Sequence, residues 1–93
     1  MSKNMNNRGV LKATMLKKLK RRGKWSGAHT SFDILARGIP KHLRGEAKEV
    51  AMELIKDGLL LSKPTSYGLE VSLNPEKKEE IDKIIKKYLD RII

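Results

Sequence analysis

Residues 69–73, Leu-Glu-Val-Ser-Leu, alternate apolar and polar side chains with a period of two. Only an extended strand puts Leu69, Val71 and Leu73 on one face and Glu70 and Ser72 on the other. Upstream, Leu59 and Leu61 alternate with Leu60 and Ser62. Between the two runs lies Lys-Pro-Thr-Ser-Tyr-Gly, residues 63–68, a Pro- and Gly-containing turn of hairpin length. A β-hairpin is therefore expected over residues 59–73. The segments around it have helical period, so the chain is read as α+β.

Residues 10–22 place Leu11, Met15, Leu16 and Leu19 at helical spacing, with lysines between them. Gly23 is expected to end that helix, after basic residues that suit its negative end. Residues 24–30 read as a loop. Thr30 or Ser31 can cap a short helix over residues 31–37, with Asp33 in its first turn. Pro40 opens and Gly58 closes a longer helix, residues 40–57. Its apolar stripe is Leu43, Ala47, Val50, Ala51, Leu54 and Ile55. Gly45 is costly inside a helix, so either it permits a close backbone approach or the helix begins near it. Asn74-Pro75-Glu76 marks a third start: a cap, a proline at the first helical position and an acid beside the dipole. Ile81, Ile84, Ile85, Tyr88, Leu89 and Ile92 then recur at three and four, which predicts a helix over residues 75–93. Residues 1–9 are polar and without periodicity, and are read as a disordered basic tail.

Charge narrows the function. Residues 1–32 carry nine cations and no acid, whereas residues 33–93 carry twelve cations and eleven acids. A nearly neutral domain with a one-signed basic end points to a polyanionic partner. A generally lysine-rich surface would mix the signs throughout. The 93 residues allow one small domain. With no cysteine, disulfides, thiol nucleophiles and cysteine zinc sites are excluded, which fits a reducing, cytoplasmic setting. No apolar run approaches the roughly 18 residues of a membrane span. The first ten residues lack the apolar segment of a secretory signal, so no membrane partner is expected.

The order of expected elements resembles a winged helix-turn-helix domain, as in small archaeal nucleic-acid-binding proteins. The resemblance rests on SFDILARGIP (31–40), KHLRGEAKEVAMELIKDGLLLS (41–62) and KPTSYGLEVSL (63–73), and covers about residues 10–73. It implies three helices, a two-stranded wing and an extra C-terminal helix. It also implies that the 40–57 helix docks on a duplex, with Lys41, His42, Arg44 and Lys48 near its leading end. Glu49 and Glu53 lie toward the rear, where entry by the N-terminal end would hold them off the phosphates.

Three groups form the candidate site. The first is Lys17, Lys18, Lys20, Arg21, Arg22 and Lys24, expected to grip phosphates. The second is the loop, where Trp25 either stacks on a base or covers the core. His29 there, like His42, can contact phosphate, cap a helix or bond within its loop. The third is the wing, with Lys63 and Tyr67. No histidine pair has metal-ligand spacing, so no metal or cofactor is expected. The Gly-Lys-Trp-Ser-Gly of residues 23–27 is not a phosphate-binding P-loop, and no nucleophile elbow is present, so catalysis is not expected. Duplex DNA is the first expected partner. RNA or the ribosome, gripped through residues 17–31, is the second. A third reading is a protein adaptor that uses the C-terminal helix. A homodimer through that helix would follow if Tyr88, Leu89, Ile92 and Ile93 were exposed.

Overall fold

Helix α1 (Arg8–Arg21) has too many buried positions for one amphipathic stripe. Leu11, Ala13, Met15, Leu16 and Leu19 are all fully buried. At 3.6 residues per turn they cover roughly 200° of the helix surface. A helix so enclosed must have neighbours on two sides. The structure, a computed structural model, describes residues 8–89 of the chain. After α1 come β1 (Thr30–Ser31), α2 (Phe32–Ala36), a 3-10 turn (Lys41–Leu43), α3 (Arg44–Lys56), β2 (Leu60–Thr65) and β3 (Gly68–Leu73). A second 3-10 turn (Pro75–Lys77) leads into α4 (Lys78–Tyr88). The protein is α+β, with four α-helices and an antiparallel sheet of order β1-β3-β2 among the described residues.

One continuous core joins the layers. From α1 it takes Leu11, Met15, Leu16 and Leu19; from α3, Ala47, Val50, Ala51 and Leu54. The sheet adds Leu60, Val71 and Leu73, and α4 adds Ile81 and Ile85. Fully burying one such side chain contributes about 1.5–3 kcal/mol. An exposed ion pair contributes at most about 1 kcal/mol. Apolar packing therefore contributes more than the charges to holding α1 in place.

Local signals set the ends of the helices. Ser31 caps α2, its hydroxyl accepting from the Ile34 N–H at 3.2 Å. Asn74 accepts from the Glu76 N–H at 3.0 Å, and its amide donates to the Gly58 carbonyl at 2.8 Å. Gly58 has φ +81°, which lets the Leu59 N–H return to the Leu54 carbonyl at 2.9 Å and close α3. Gly45 sits in the first turn of α3, and a Cβ there would meet nothing. Of its two readings, the one in which the helix begins nearby is correct.

Five details depart from expectation. Helix α1 starts at Arg8, two residues before the expected start and inside the expected tail; residues 1–7 lie outside the described residues. The loop over residues 24–30 runs into a strand, because Thr30 and Ser31 pair with Val71 and Glu70. A two-residue strand has no periodicity to read, so the sheet has three strands and not two. The hairpin turn is tighter than six residues: β2 runs through Pro64 to Thr65, leaving only Ser66 and Tyr67 at the tip. Pro64 is tolerated because β2 is an edge strand. The leucine run does not alternate throughout: Leu59, ahead of β2, is buried, and so is Leu60 opposite Leu73, whereas Leu61 is exposed opposite Ser72. Finally, the helices expected at 40–57 and 75–93 each begin with a 3-10 turn. The second is described only to Leu89, and Ile92 and Ile93 lie outside the described residues.

The second neighbour of α1 is α4. Gly9 lies against the Tyr88 ring, so that a Cβ on Gly9 would run into it. At the other end Lys20 meets Asp82 at 2.7 Å, so the two helices run antiparallel. Tyr88 and Leu89, offered as a dimer face, are half-buried within the chain. Gly9→Ala alone is expected to destabilise the protein despite the roughly 1 kcal/mol that alanine gains in a helix. In a Tyr88→Ala background the same change should become stabilising. Urea unfolding of the four proteins of this cycle checks the reversal of sign.

Candidate nucleic-acid interface

Helix α3 has two chemically different flanks outside the core. Glu46, Glu49 and Glu53 lie toward α1. Arg8 reaches all three: Nη2 is 2.6 Å from Glu53, and Nη1 is 3.4 Å from Glu46 and 3.5 Å from Glu49. Lys12 Nζ adds a contact to Glu53 at 3.4 Å. The hydrogen bond from Arg8 is the main cause holding the Glu53 carboxyl below its ordinary pKa, and the same bond raises that of Arg8. The other flank carries Arg44, Lys48 and the half-exposed Met52 at four-residue spacing. Neither Arg44 nor Lys48 makes an ion pair among the described residues. Lys41 and His42 are exposed just ahead of them.

The hairpin tip comes to the same place. Lys48 and Tyr67 line one shallow hollow with Ser31, Phe32 and Asp33 at the start of α2. Tyr67 is 95% exposed. The Thr65 hydroxyl shapes the tip, donating to the Gly68 carbonyl at 2.9 Å and accepting from the Tyr67 N–H at 3.1 Å. Lys63 is exposed on β2 and sits across the ladder from Glu70, which offsets part of its charge toward an outside anion. The helix candidate Lys48 and the hairpin candidate Tyr67, far apart in sequence, thus share one surface.

The six-cation cluster of residues 17–24 does not act as a unit. Lys20 is paired with Asp82, whose carboxyl is held below its ordinary pKa chiefly by that hydrogen bond. Lys18 donates to the Ile34 carbonyl at 2.7 Å and the Arg37 carbonyl at 2.8 Å, closing the C-terminal end of α2. Burial, then the charges of Arg22, Arg37 and Arg21, lower its pKa. Arg21 and Arg22 line one groove together with Lys17 and Arg37. Lys24 is half-buried in the turn after α1. Sequence reasoning does not single out Arg37. As a lone basic residue after a five-residue helix it carries no pattern, and only the packing of α2 on α1 brings it in.

Trp25 is pinned by its neighbours. The Ser26 N–H donates to the Leu73 carbonyl at 2.9 Å, and the Leu73 N–H donates to the Lys24 carbonyl at 2.7 Å. The ring is partly buried and packs against the core. His29 is half-buried and His42 exposed. Among the described residues, no group of three or more His, Cys, Asp or Glu is placed to hold a metal ion. No helix there is long and apolar enough to cross a membrane.

The carboxyl shifts have a sign. Glu53 and Asp82 lie below ordinary values of 4.5 and 3.8. The stability they contribute is present above those values and is lost as pH falls through the depressed ones. Arg8→Met and Lys20→Met should each make the stability profile below about pH 4.5 flatter than that of the parent. Urea midpoints measured across that range check this; parallel profiles would refute it.

No family model, no curated protein and no solved structure matches the chain.

Proposed function

We propose that this protein is a winged helix-turn-helix domain that binds duplex DNA, without catalysis, through α3 and the β2–β3 hairpin. The element order and the β1-β3-β2 sheet support the architecture. In this reading α2 and α3 form the helix-turn-helix, and the hairpin is the wing. The short strand β1 closes the far edge of the sheet.

The observation that carries the function is the division of α3. All three of its glutamates are engaged from α1, while Arg44 and Lys48 are exposed on the other flank, Lys48 beside Tyr67. A helix with exposed acids along its face would be repelled by phosphate. Here those acids are turned toward α1 and partly offset by Arg8 and Lys12, and the flank that carries Arg44 and Lys48 is cationic. Lys41 and Arg44 at the leading end suit phosphate contacts, and Lys48 one turn on suits a base edge or a phosphate across the groove. Arg8 is a positioning residue: it acts on the duplex only through the glutamates it holds.

Insertion of residues 17–31 into an RNA crevice is less well supported, because the Trp25 segment is bonded to β3 through its neighbours and its ring packs on the core. An adaptor role for the C-terminal helix finds little free apolar surface in its described part, since Ile81 and Ile85 are buried and Ile84 packs against the core.

Binding of labelled duplex DNA, followed by anisotropy across a salt series, tests the proposal. Arg44→Ala and Lys48→Ala each remove one phosphate-facing cation, and each should reduce the log–log salt slope by about 0.9. Arg8→Ala should weaken binding although Arg8 does not face the duplex. Unchanged slopes in both α3 variants would overturn the reading, as would displacement of the duplex by structured RNA at far lower phosphate concentration.

A further inference from the structure

The concavity at the other end of α2 has a separate chemistry. Ser31, Phe32 and Asp33, at the start of α2, belong to the hollow beside Lys48 and Tyr67. The end of α2 and the turn after it, with Leu35, Arg37 and Ile39, line a groove against α1, and the two concavities share no residue. Lys17, Lys18, Arg21, Arg22 and Arg37 line this groove, and no acid among the described residues does. Its apolar surface comes from Leu35, Ile39 and Leu89. It is open and has a volume of about 680 Å³.

Lys18 is the fixed point. Its ammonium is held by two backbone carbonyls, so its charge stays at the groove wall. Arg22 and Arg37 are exposed and make no ion pair among the described residues. Clustering like charges costs energy that an anion between them would remove. Guanidinium groups can meet phosphate oxygens two at a time, which a lysine cannot. The apolar floor gives a base or sugar somewhere to lie beside the phosphates.

We propose that this groove is a second binding site, taking the phosphate group of a nucleotide around Lys18, with Arg21, Arg22 and Arg37 as its ligands. It does not depend on the docking of α3. The nucleotide can be free or part of a single-stranded chain, since both present the same phosphate and base.

The full-length protein is titrated calorimetrically with tripolyphosphate, adenosine triphosphate and a short single-stranded oligothymidylate. Arg22→Ser/Arg37→Ser is compared with Arg44→Ser/Lys48→Ser. The groove pair should weaken adenosine triphosphate binding by about tenfold or more, the loss expected from charge-assisted hydrogen bonds. The α3 pair should leave it unchanged. Arg22→Lys/Arg37→Lys keeps the charge and should lose affinity by an intermediate factor, which separates loss of geometry from loss of fold. Adenosine triphosphate should bind more tightly than tripolyphosphate if the apolar floor is used. Tighter binding of the oligothymidylate at equal phosphate would assign the site to a nucleic-acid chain, and tighter binding of the triphosphate to a free nucleotide. No saturable binding by the parent protein would overturn the proposal, as would equal losses in the groove and α3 pairs. Loss of duplex binding in the α3 pair alone would leave the groove standing, and failure of the groove alone would leave the duplex reading standing.

Discussion

Helix α1 is enclosed by apolar contacts on two sides and yet carries Arg8, Lys12, Lys17, Lys18, Lys20 and Arg21. Packing decides where the helix goes, since five fully buried side chains outweigh any surface ion pairs. Its cations must then be accommodated wherever the packing leaves them. Arg8 and Lys12 fall beside the glutamates of α3, Lys20 beside Asp82 of α4, and Lys18 beneath the carbonyl end of α2. Each neighbour of the helix thus receives a charge suited to it.

That placement shapes the outer electrostatics more than it shapes stability. The pairs are partly solvent-exposed and contribute little energy each. Their effect is to mask the acids of α3, so that its remaining exposed flank has one sign. The same helix that supplies the core also sets the potential of the surface proposed to meet DNA. Farther along, Arg21 and its neighbour Arg22 make no ion pair among the described residues and meet Arg37 over an apolar floor. The two cationic surfaces depend on opposite ends of one helix, and α2 separates them.

The hairpin and the residues that cap and stop helices were legible because they rest on local chemistry. Ser31 and Asn74 cap through their own side chains, and Gly58 reverses the chain by its own φ. The phase of the leucine run was not legible. Leu59, Leu60 and Leu61 are equivalent as sequence, and only pairing with β3 sets Leu60 inward and Leu61 outward. Strand β1 was hidden for a similar reason, since two residues hold no period and their partners, Val71 and Glu70, are remote in sequence. In the candidate site, the basic cluster after Leu16 was visible as a charge run, but its division into capping, paired and clustered members was not.

By itself, the sequence determined the class of structure, the residues that cap and stop several helices and the presence of a strongly basic end on a nearly neutral domain. Those follow from side-chain period, capping chemistry and formal charge, which are properties of short stretches. Tertiary structure alone decided which cations remain available. Charge is fixed by residue type, but its reach depends on neighbours, and the neighbours of Lys18, Lys20, Arg8 and Arg37 are brought to them by the packing of α1 against three other helices.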